Sequence, residues 1–568
     1  MRANIGPMRR QMRGPARFWV PVACVAVVAL LAGCGLRQSP PSGGFDPQPT
    51  RGYILISIDT LRADHLGAYG YDRDTSPFLD SLAARGTLFE RAVVQYPSTL
   101  TSHMSIFTGL YPQEHEVLPP STVLSGEIET LPEIFQRHGF RTAGHTEGGF
   151  MAGGYGFARG FDDFTDTAYG SDTDVERTFR RGLDSLQSLE ADEPFFLFLH
   201  TYAVHDPYEP PERFRSLFWQ GAVPEIADSS GEFLRRVNRG DQQVPPETLR
   251  YYEAQYDATI RYVDEVLQRF VGELEELGLV EETTLIVTSD HGEEFGEHGK
   301  VAHTQVYPEC LVVPLLVVHP QQSDGMRIAD LVETVDLAPT LLELAGIEAA
   351  DSISGRSLVG ALRGDRREDP TSQAYAEVLD EERAQSLMTH DPGAFLQLLM
   401  VEPEPDPVGP WIRHSFTLDT EEALVEFEAH SFHQPRRIQV TVDGSPLDEF
   451  ELGPDWQPVT LELPGRRRQI RRVRLEADGC ISPAEVGEST DDRCLAFQTR
   501  GLDPIRHELY DLRGDPLAQK DLFKERESLR RRLTGRLSAL RWTSRAEPGQ
   551  QELSEEDEAA LRALGYLD

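Results

Sequence analysis

The hydrophobic positions from Tyr53 to Leu358 form two alternating patterns. Short, nearly continuous apolar runs predict buried strands at residues 53–58, 195–199, 285–287 and 312–318. Apolar residues at helical spacing predict helices that begin after Ser76-Pro77 and that cover residues 249–277 and 335–346. Strands that alternate with helices predict an α/β fold with a mostly parallel sheet flanked by helices, whose ligands bind at the carboxyl ends of the strands.

The pattern changes to a two-residue alternation after a linker rich in proline and glutamate at residues 402–407. Apolar residues alternate with polar ones from Ile438 to Val442 and again from Val459 to Leu463, which is typical of strands with one buried face. We therefore predict three folded parts: a catalytic domain at residues 51–395, an inserted all-β module of the sandwich type at 408–500, and a small C-terminal subdomain with a helical tail at 501–568.

The first residues of the chain are typical of an export signal. Five arginines precede an apolar stretch from Phe18 to Leu31, which ends in Leu31-Ala32-Gly33-Cys34. This segment resembles the bacterial lipoprotein signal, so residues 1–33 are predicted to be removed and Cys34 to carry the lipid, with 34–50 as a tether. The alternative is an uncleaved membrane helix. The expected location is the bacterial cell envelope, lipid-anchored and exported, and facing the periplasm or outer membrane in a Gram-negative cell.

The remaining cysteines agree with export. Cys480 and Cys494 are close in sequence and could form a disulfide, which an oxidising compartment permits. Cys310 lies beside the apolar run 311–318, which predicts a buried thiol of the core.

Charge restricts the partners of the chain. There are 94 acidic residues against 55 Lys and Arg, a formal net charge of −39. Such a surface excludes nucleic acid as a partner, because Lys and Arg clusters supply that affinity. The same negative charge disfavours binding of an anionic substrate, unless a metal ion or basic side chains make the potential in one pocket positive.

Three clusters carry residues suited to catalysis. They are Ile56-Ser57-Ile58-Asp59-Thr60-Leu61-Arg62-Ala63-Asp64, Thr99-Leu100-Thr101-Ser102-His103, and Ser289-Asp290-His291-Gly292-Glu293-Glu294-Phe295-Gly296-Glu297-His298-Gly299 with His303 after it. Carboxylates and imidazoles at strand ends are good ligands for a divalent metal. A hydroxyl at the start of a helix is a reasonable nucleophile, because the peptide dipoles favour its anion. Each residue alone could equally be a helix cap or a surface group.

Together these clusters resemble the sulfatase family of the alkaline phosphatase superfamily. The resemblance covers about residues 53–358 and resumes at 507, and it includes His205-Asp206-Pro207-Tyr208 and Val335-Asp336-Leu337-Ala338-Pro339-Thr340. It implies a metal held by Asp59, Asp290 and His291, with Thr99 as the metal-bound nucleophile. His205 would take part in catalysis and, with His303, hold the ester oxygens or the leaving group. His103 and Lys300, beside these clusters, are further candidates for binding an anionic group.

The chain departs from the family at the nucleophile. Sulfatases have a Cys or Ser there, within a Cys/Ser-x-Pro-x-Arg motif that is oxidised to formylglycine; this chain has Thr99, Thr101 and His103 at those positions. A threonine cannot become that aldehyde, so the resemblance favours phosphoryl over sulfuryl transfer. Thr201 replaces the aspartate of the Asp-x-x-x-His motif in two-zinc relatives, which predicts one metal ion: Ca²⁺, Mn²⁺ or Zn²⁺.

Three functions follow from these observations. The first is a metal-dependent hydrolase that cleaves a phosphate or sulfate ester through a threonine-linked intermediate, on a small or a glycan- or lipid-linked substrate. The second is an envelope transferase of the phosphoethanolamine or phosphoglycerol type. The third, from another class, is a non-catalytic envelope lipoprotein that binds glycans. It would use the pocket formed by the three clusters, without catalysis, together with the β-module.

Overall fold

The computed structural model describes residues 44–166, 175–303, 305–365, 373–379, 383–391, 394–401, 415–420, 424–464, 471–480, 496–500, 506–512 and 518–522, with a few isolated positions further on. The predicted signal segment and Cys34 lie outside the described residues, as does most of the predicted helical tail. Within the described part, no helix combines the length and the apolar character needed to cross a membrane.

The first eleven strands are short. In chain order they are β1 Gly52–Ile58, β2 Thr87–Val93, β3 Thr122–Val123, β4 Arg141–Thr146, β5 Asp163–Asp166, β6 Phe195–Thr201, β7 Thr283–Thr288, β8 Glu294–Phe295, β9 Val301–Ala302, β10 Val312–Val318 and β11 Met326–Glu333. The helices between and after them are α1 Pro77–Ala83, α2 Thr99–Thr108, α3 Pro112–His115, α4 Leu131–Arg137, α5 Val175–Gln187, α6 Gly231–Asn238, α7 Pro246–Glu276, α8 Pro308–Leu311, α9 Leu337–Leu344 and α10 Val359–Leu362.

Eight of these strands form the central sheet, in the order β11-β2-β10-β7-β1-β6-β4-β5. All neighbouring pairs are parallel except those of β10, which runs antiparallel to both β2 and β7. The predicted mostly parallel α/β fold is therefore confirmed. β1 lies between β6 and β7, so the carboxyl ends of these three strands meet at one edge of the sheet.

Two hydrophobic layers explain why β1 is apolar throughout. Tyr53 and Leu55 face one layer of helices, and Ile54, Ile56 and Ile58 face the other. Because helices cover both faces of the sheet, a central strand has no polar side to present to water. A fully buried leucine- or isoleucine-sized side chain stabilises the fold by about 1.5–3 kcal/mol.

The predicted helices are present. Ser76 precedes α1, which has Pro77 as its first residue, where the missing N–H costs nothing. In α7, the side chains of the predicted stripe are all buried: Tyr252, Tyr256, Ile260, Val263 and Leu267. The segment predicted at 335–346 forms a short 3-10 turn followed by α9.

A second sheet extends the catalytic domain. Its strands are β12 Gln373–Leu379, β13 Arg383–Asp391, β14 Ala394–Val401 and, from after the inserted module, β22 Arg506–Asp511. β22 pairs antiparallel with β14, so the chain returns to this sheet. The predicted domain end at residue 395 falls within β14, and the sheet continues past it to Val401.

The inserted segment contains two further sheets. The strands are β15 Ser415–Thr420, β16 Leu424–Ser431, β17 Arg436–Val442, β18 Ser445–Leu452, β19 Gln457–Glu462, β20 Arg471–Ala477 and β21 Phe497–Arg500. The sheets β15-β20-β17-β18 and β19-β16-β21 share one hydrophobic core, with Ile438 and Val440 from one sheet and Phe427 and Leu461 from the other. Two antiparallel sheets around one core form a β-sandwich. Cys480 is disulfide-bonded, and Cys494 lies outside the described residues.

Candidate active site

Strand ends of the central sheet bring together the four residues of the predicted metal site. Asp59 follows β1, Asp290 and His291 follow β7, and Thr99 is the first residue of α2. All four side chains are buried, with 0% exposure. The backbone N–H of Asp59 donates to the Thr201 carbonyl at the end of β6 (3.0 Å), which continues the parallel pairing to the carboxylate itself.

The Thr99 hydroxyl lies between an acid and an imidazole. Its Oγ1 is 3.2 Å from Asp59 Oδ2 and 3.4 Å from His291 Nε2. The first intrahelical bond of this region runs from Ser102 N–H to the Ser98 carbonyl, so the amides of residues 99–101 have no partner within the helix. The positive end of the helix dipole therefore points at the threonine oxygen and favours its anion.

Orphaned carboxylate oxygens show that this centre suits a cation. Asp59 Oδ1 and Asp290 Oδ2 are buried and have no hydrogen-bond partner among the described residues. Ligand atoms of Asp59, Asp290 and His291 all lie within 4.8 Å of one another. Two buried acidic groups with bare oxygens are costly unless a cation compensates them. Two carboxylates and one imidazole are a ligand set for a hard or borderline divalent ion.

The electrostatics of the two acids lead to the same conclusion. Burial and the neighbouring Asp290 carboxylate raise the pKa of Asp59 well above its ordinary value. Burial also acts to raise the pKa of Asp290, but His291, His103 and His200 outweigh it and lower that pKa to about 2. Without a cation, the pair therefore does not hold two full negative charges; a divalent ion would allow both acids to ionise.

His291 is oriented to serve as a ligand through Nε2. Its Nδ1 lies 3.2 Å from the Gly292 carbonyl, to which it donates, so Nε2 keeps its lone pair. Nε2 lies 3.4 Å from Asp290 Oδ2 and 3.8 Å from Asp59 Oδ1.

His103 occupies a supporting position. Its Nδ1 lies 2.8 Å from the Thr99 carbonyl and its Nε2 lies 2.9 Å from Ser57 Oγ. Both ring nitrogens are therefore engaged with protein groups, and the side chain is fully buried. These contacts support the first turn of α2, and His103 Nδ1 also lies 3.6 Å from Asp290 Oδ2. Substrate binding by His103 stays a prediction.

His200 lies in the site, but it was not identified from the sequence as a site residue. Its Nε2 lies 3.1 Å from Asp59 Oδ2, and Nδ1 is buried without a hydrogen-bond partner in the described part of the chain. The parallel register pairs His200 with Ser57, two residues before Asp59. The available signal was a histidine directly after the apolar run 195–199, but only the sheet register shows that it faces the predicted metal ligands.

His205 and His303 form a second group beside the first. Their ring centroids are 4.9 Å apart, and the His303 ring is 4.4 Å from that of His291. His205 Nδ1 lies 2.7 Å from the Asp206 carbonyl, and His303 Nδ1 lies 3.4 Å from Glu293 Oε1. Burial, with His291 and His205 nearby, lowers the pKa of His303 well below its ordinary value, so its imidazole is neutral.

Lys300 lies on the loop between β8 and β9. Its half-buried ammonium donates to the Asn238 carbonyl at the end of α6, at 3.2 Å. A cation at a helix C-terminus is favoured by the dipole, which accounts for this placement. Substrate binding by Lys300 stays a prediction.

Arg62 connects the loops that carry these groups. Its guanidinium donates to the Glu293 carbonyl (2.8 Å), to Glu297 Oε1 (2.6 Å) and, as a fork, to both oxygens of Asp64 (2.9 and 2.8 Å). The arginine side chain is only 3% exposed. It therefore fixes the loop after β7 against the loop after β1.

The serines next to Thr99 are placed elsewhere. Ser102 Oγ donates to the Asp290 carbonyl at 2.7 Å, and Ser98 stands before the helix in an extended conformation. Thr101 Oγ1 donates to the Val117 carbonyl at 3.0 Å, away from the acids. Thr99 thus carries the hydroxyl that faces the acids.

Comparisons with known proteins identify the family and the fold. The family model named Sulfatase matches residues 51–347. An arylsulfatase of Clostridium perfringens is 24% identical over 371 residues, which cover 54% of this chain and 77% of the relative. A phosphonate monoester hydrolase of Agrobacterium radiobacter has a similar fold, with a TM-score of 0.53 and 16% identity over 86% of this chain and 94% of its own. A protein solved in complex with its substrate D-glucosamine-2-N,6-O-disulfate gives a TM-score of 0.58 with 17% identity, covering 86% and 97% of the two chains.

Proposed function

Since this chain belongs to the sulfatase family and is a hydrolase of that family, we propose that it cleaves phosphate esters through a covalent intermediate on Thr99. Sulfate esters are the second substrate class, because relatives of this chain are sulfatases. The substrate is a small anionic ester, free or attached to a glycan or a lipid. The observation that carries the proposal is the Thr99 hydroxyl, 3.2 Å from Asp59 at the orphaned carboxylates.

A divalent ion held by Asp59, Asp290 and His291 would supply positive charge that favours the threonine alkoxide and neutralises the ester oxygens. Zn²⁺, Mn²⁺ and Ca²⁺ remain the candidates. The chain's own groups prepare the attack. Asp59 accepts the hydrogen bond of the Thr99 hydroxyl and thereby orients a lone pair towards the substrate, while the start of α2 stabilises the charge that develops.

The two histidines of the second group serve the leaving group. Thr99 Oγ1 passes its proton to Asp59 as it forms a bond to phosphorus, and His205 gives a proton to the ester oxygen as the bond from phosphorus to that oxygen breaks. Water then attacks phosphorus and gives a proton to His205, the bond to Thr99 breaks, and the threonine takes its proton back from Asp59. His303, neutral because it is buried among other imidazoles, donates a hydrogen bond to an oxygen of the ester.

Local charge explains how so acidic a chain can bind an anion. The net charge of −39 acts at long range and is screened by salt over about 8 Å under physiological conditions. Within the site, a divalent ion would supply the positive charge, and the imidazoles of His205 and His303 would donate hydrogen bonds to the ester oxygens. The acidic surface therefore selects against large polyanions but allows a small ester.

The test compares two isosteric variants of one helix turn. Thr99→Val removes the proposed nucleophile, and Thr101→Val removes a hydroxyl that donates to the Val117 carbonyl. Thr99→Val should abolish hydrolysis of aryl phosphate, aryl phosphodiester and aryl sulfate panels. Thr101→Val should keep the rate and lose about 1–2 kcal/mol of stability through the unpaired carbonyl.

Mass spectrometry of the Thr99 peptide, after acid quenching with substrate, should show the added mass of one phosphoryl group. Accurate mass distinguishes it from a sulfuryl group, which would reassign the substrate class while keeping the mechanism. Transfer of the group to an added alcohol or glycan, instead of release as phosphate, would favour the transferase. Full activity of Thr99→Val would refute the threonine mechanism.

The location is part of the same proposal. Residues 31–34 resemble a lipoprotein cleavage site, so the enzyme acts in the bacterial envelope from a lipid anchor on Cys34. Cys34→Ala should move the protein from the membrane fraction to the soluble fraction. If the variant stays in the membrane, the lipid anchor is wrong.

A further inference from the structure

A second group of potential metal ligands lies apart from the site described above. Glu294 is in β8, His298 is in the loop that follows, and Glu309 is in α8. One ligand atom from each lies within 4.8 Å of the others. Both glutamates are buried, with 0% and 2% exposure, and the His298 side chain is 10% exposed.

The carboxylates of this group are not satisfied by protein donors. Both oxygens of Glu309 and Oε2 of Glu294 are buried without a hydrogen-bond partner among the described residues. Arg62 is bonded to Asp64 and Glu297. Buried acidic oxygens of this kind need a cation.

His298 is held in the orientation of a metal ligand. Its Nε2 lies 3.4 Å from the Ala518 carbonyl, and its ring stacks on Tyr307 at 3.6 Å with an angle of 5°. Metal-binding histidines characteristically donate one ring N–H to such a carbonyl and bind the ion with the other nitrogen. That other nitrogen, Nδ1, lies 2.6 Å from Glu294 Oε1 and 4.0 Å from Glu309 Oε2. The contact with Glu294 is a hydrogen bond, and an ion about 2.0–2.2 Å from each atom would replace it.

A group of similar composition elsewhere in the chain provides the contrast. His65, Glu253 and Asp257 also approach within metal-binding distance. There, however, the Asp257 carboxylate accepts hydrogen bonds on both oxygens. His65 donates to one oxygen (2.7 Å), and Tyr71 (2.8 Å) and Arg73 (2.5 Å) donate to the other. Protein donors complete that group, whereas the oxygens of Glu309 remain bare.

We propose that Glu294, His298 and Glu309 bind a second divalent cation of the Zn²⁺ or Mn²⁺ type, with a structural role. Mixed carboxylate and imidazole ligands suit these ions. The ion would join the β8–β9 hairpin to α8. Glu293 precedes this hairpin and His303 follows it, so the second ion would fix the loop that contributes His303 to the active site. The proposal does not depend on the substrate or on the role of Thr99.

The experiment measures bound metal in the full chain. Wild-type protein is stripped with a chelator, reloaded with Zn²⁺ alone and then with Mn²⁺ alone, desalted, and analysed by elemental mass spectrometry. Glu309→Gln should carry one equivalent less than wild type, and so should Asp290→Asn, while a double variant should lose two. Glu253→Gln, the matched control from the satisfied group, should equal wild type.

Folding is checked in every variant by circular dichroism and thermal unfolding. If Glu309→Gln does not fold, His298→Gln, which keeps both carboxylates, replaces it and should lower the affinity of one site at least tenfold in calorimetric titration with Zn²⁺. Metal content and titrations of the folded variant that equal wild type would overturn the proposal. The proposal would also be overturned if Asp290→Asn lost one equivalent of metal while the variants of Glu309 and His298 lost none.

Discussion

Replacing Arg62 by methionine tests whether one buried guanidinium holds the active-site loops together. The change keeps most of the side-chain length but removes five N–H donors. Glu297, 17% exposed, would lose its 2.6 Å partner, and the Glu293 carbonyl would lose its 2.8 Å donor. The loop that begins with His291 would then be attached to the loop after β1 by fewer bonds.

The expected cost follows from the exposure of each partner. Asp64 is 53% exposed, so its pair with Arg62 contributes only about 0–1 kcal/mol. The pair with Glu297 is largely buried, and breaking such a pair by removing one partner costs about 3–5 kcal/mol. Arg62→Met should therefore destabilise the protein by about 3–5 kcal/mol. Arg62→Lys should lie between, because a lysine keeps the charge but lacks the planar fork.

Urea unfolding followed by circular dichroism measures this cost, with Arg363→Met as the control. Arg363 also contacts two carboxylates, Asp46 and Glu343, but it is 41% exposed and its partners are 67% and 41% exposed. The control should change stability by about 0–1 kcal/mol. A cost for Arg62→Met equal to that of the control would refute the inference that burial makes this pair important.

Three further predictions concern the site and the cysteines. With the metal removed by chelation, the contribution of Asp59 to stability should be complete below about pH 4, near the pKa of the unfolded acid, and should be lost as pH rises through the raised pKa of the folded acid. Wild type should therefore lose stability relative to Asp59→Asn over this range, and Mn²⁺ should abolish the loss. Parallel metal-free profiles of the two proteins would contradict the reasoning. His200→Gln should weaken metal binding about 10–100-fold in titration calorimetry, and unchanged affinity would remove His200 from the site. Cys310, buried and with a raised pKa, should react with thiol reagents only after unfolding, as peptide mapping would show; labelling of the native protein would contradict its burial.

Much of the fold was predictable because burial leaves a local pattern. β1 is apolar at every position because both of its faces are covered, and α7 repeats its buried residues at helical spacing because only one side meets the core. The boundaries of the domains were harder to predict from the sequence. The predicted end of the catalytic domain at residue 395 falls inside β14, because the partner of that strand, β22, follows more than a hundred residues later.

The site was predictable where a motif carried it. Asp59, Thr99, Asp290 and His291 were named from three clusters, and the structure brings them together. The role expected for His103 could not be judged from its position in a motif. It depended on which atoms surround the ring, and these are Ser57 Oγ and the Thr99 carbonyl.

The sequence by itself determined the α/β class, the acidic surface and the identity of the residues available for chemistry, since these depend on composition and short-range periodicity. Tertiary structure alone decided which of them meet. His200 reaches Asp59 because parallel pairing aligns β6 with β1, and Glu309 comes within 4.0 Å of His298 because the Glu293 N–H donates to the Glu309 carbonyl and holds α8 beside the start of β8. At both groups of acids, the balance of charge depends on distances of a few ångströms between residues that are far apart in the sequence. Such distances cannot be read from a local sequence pattern.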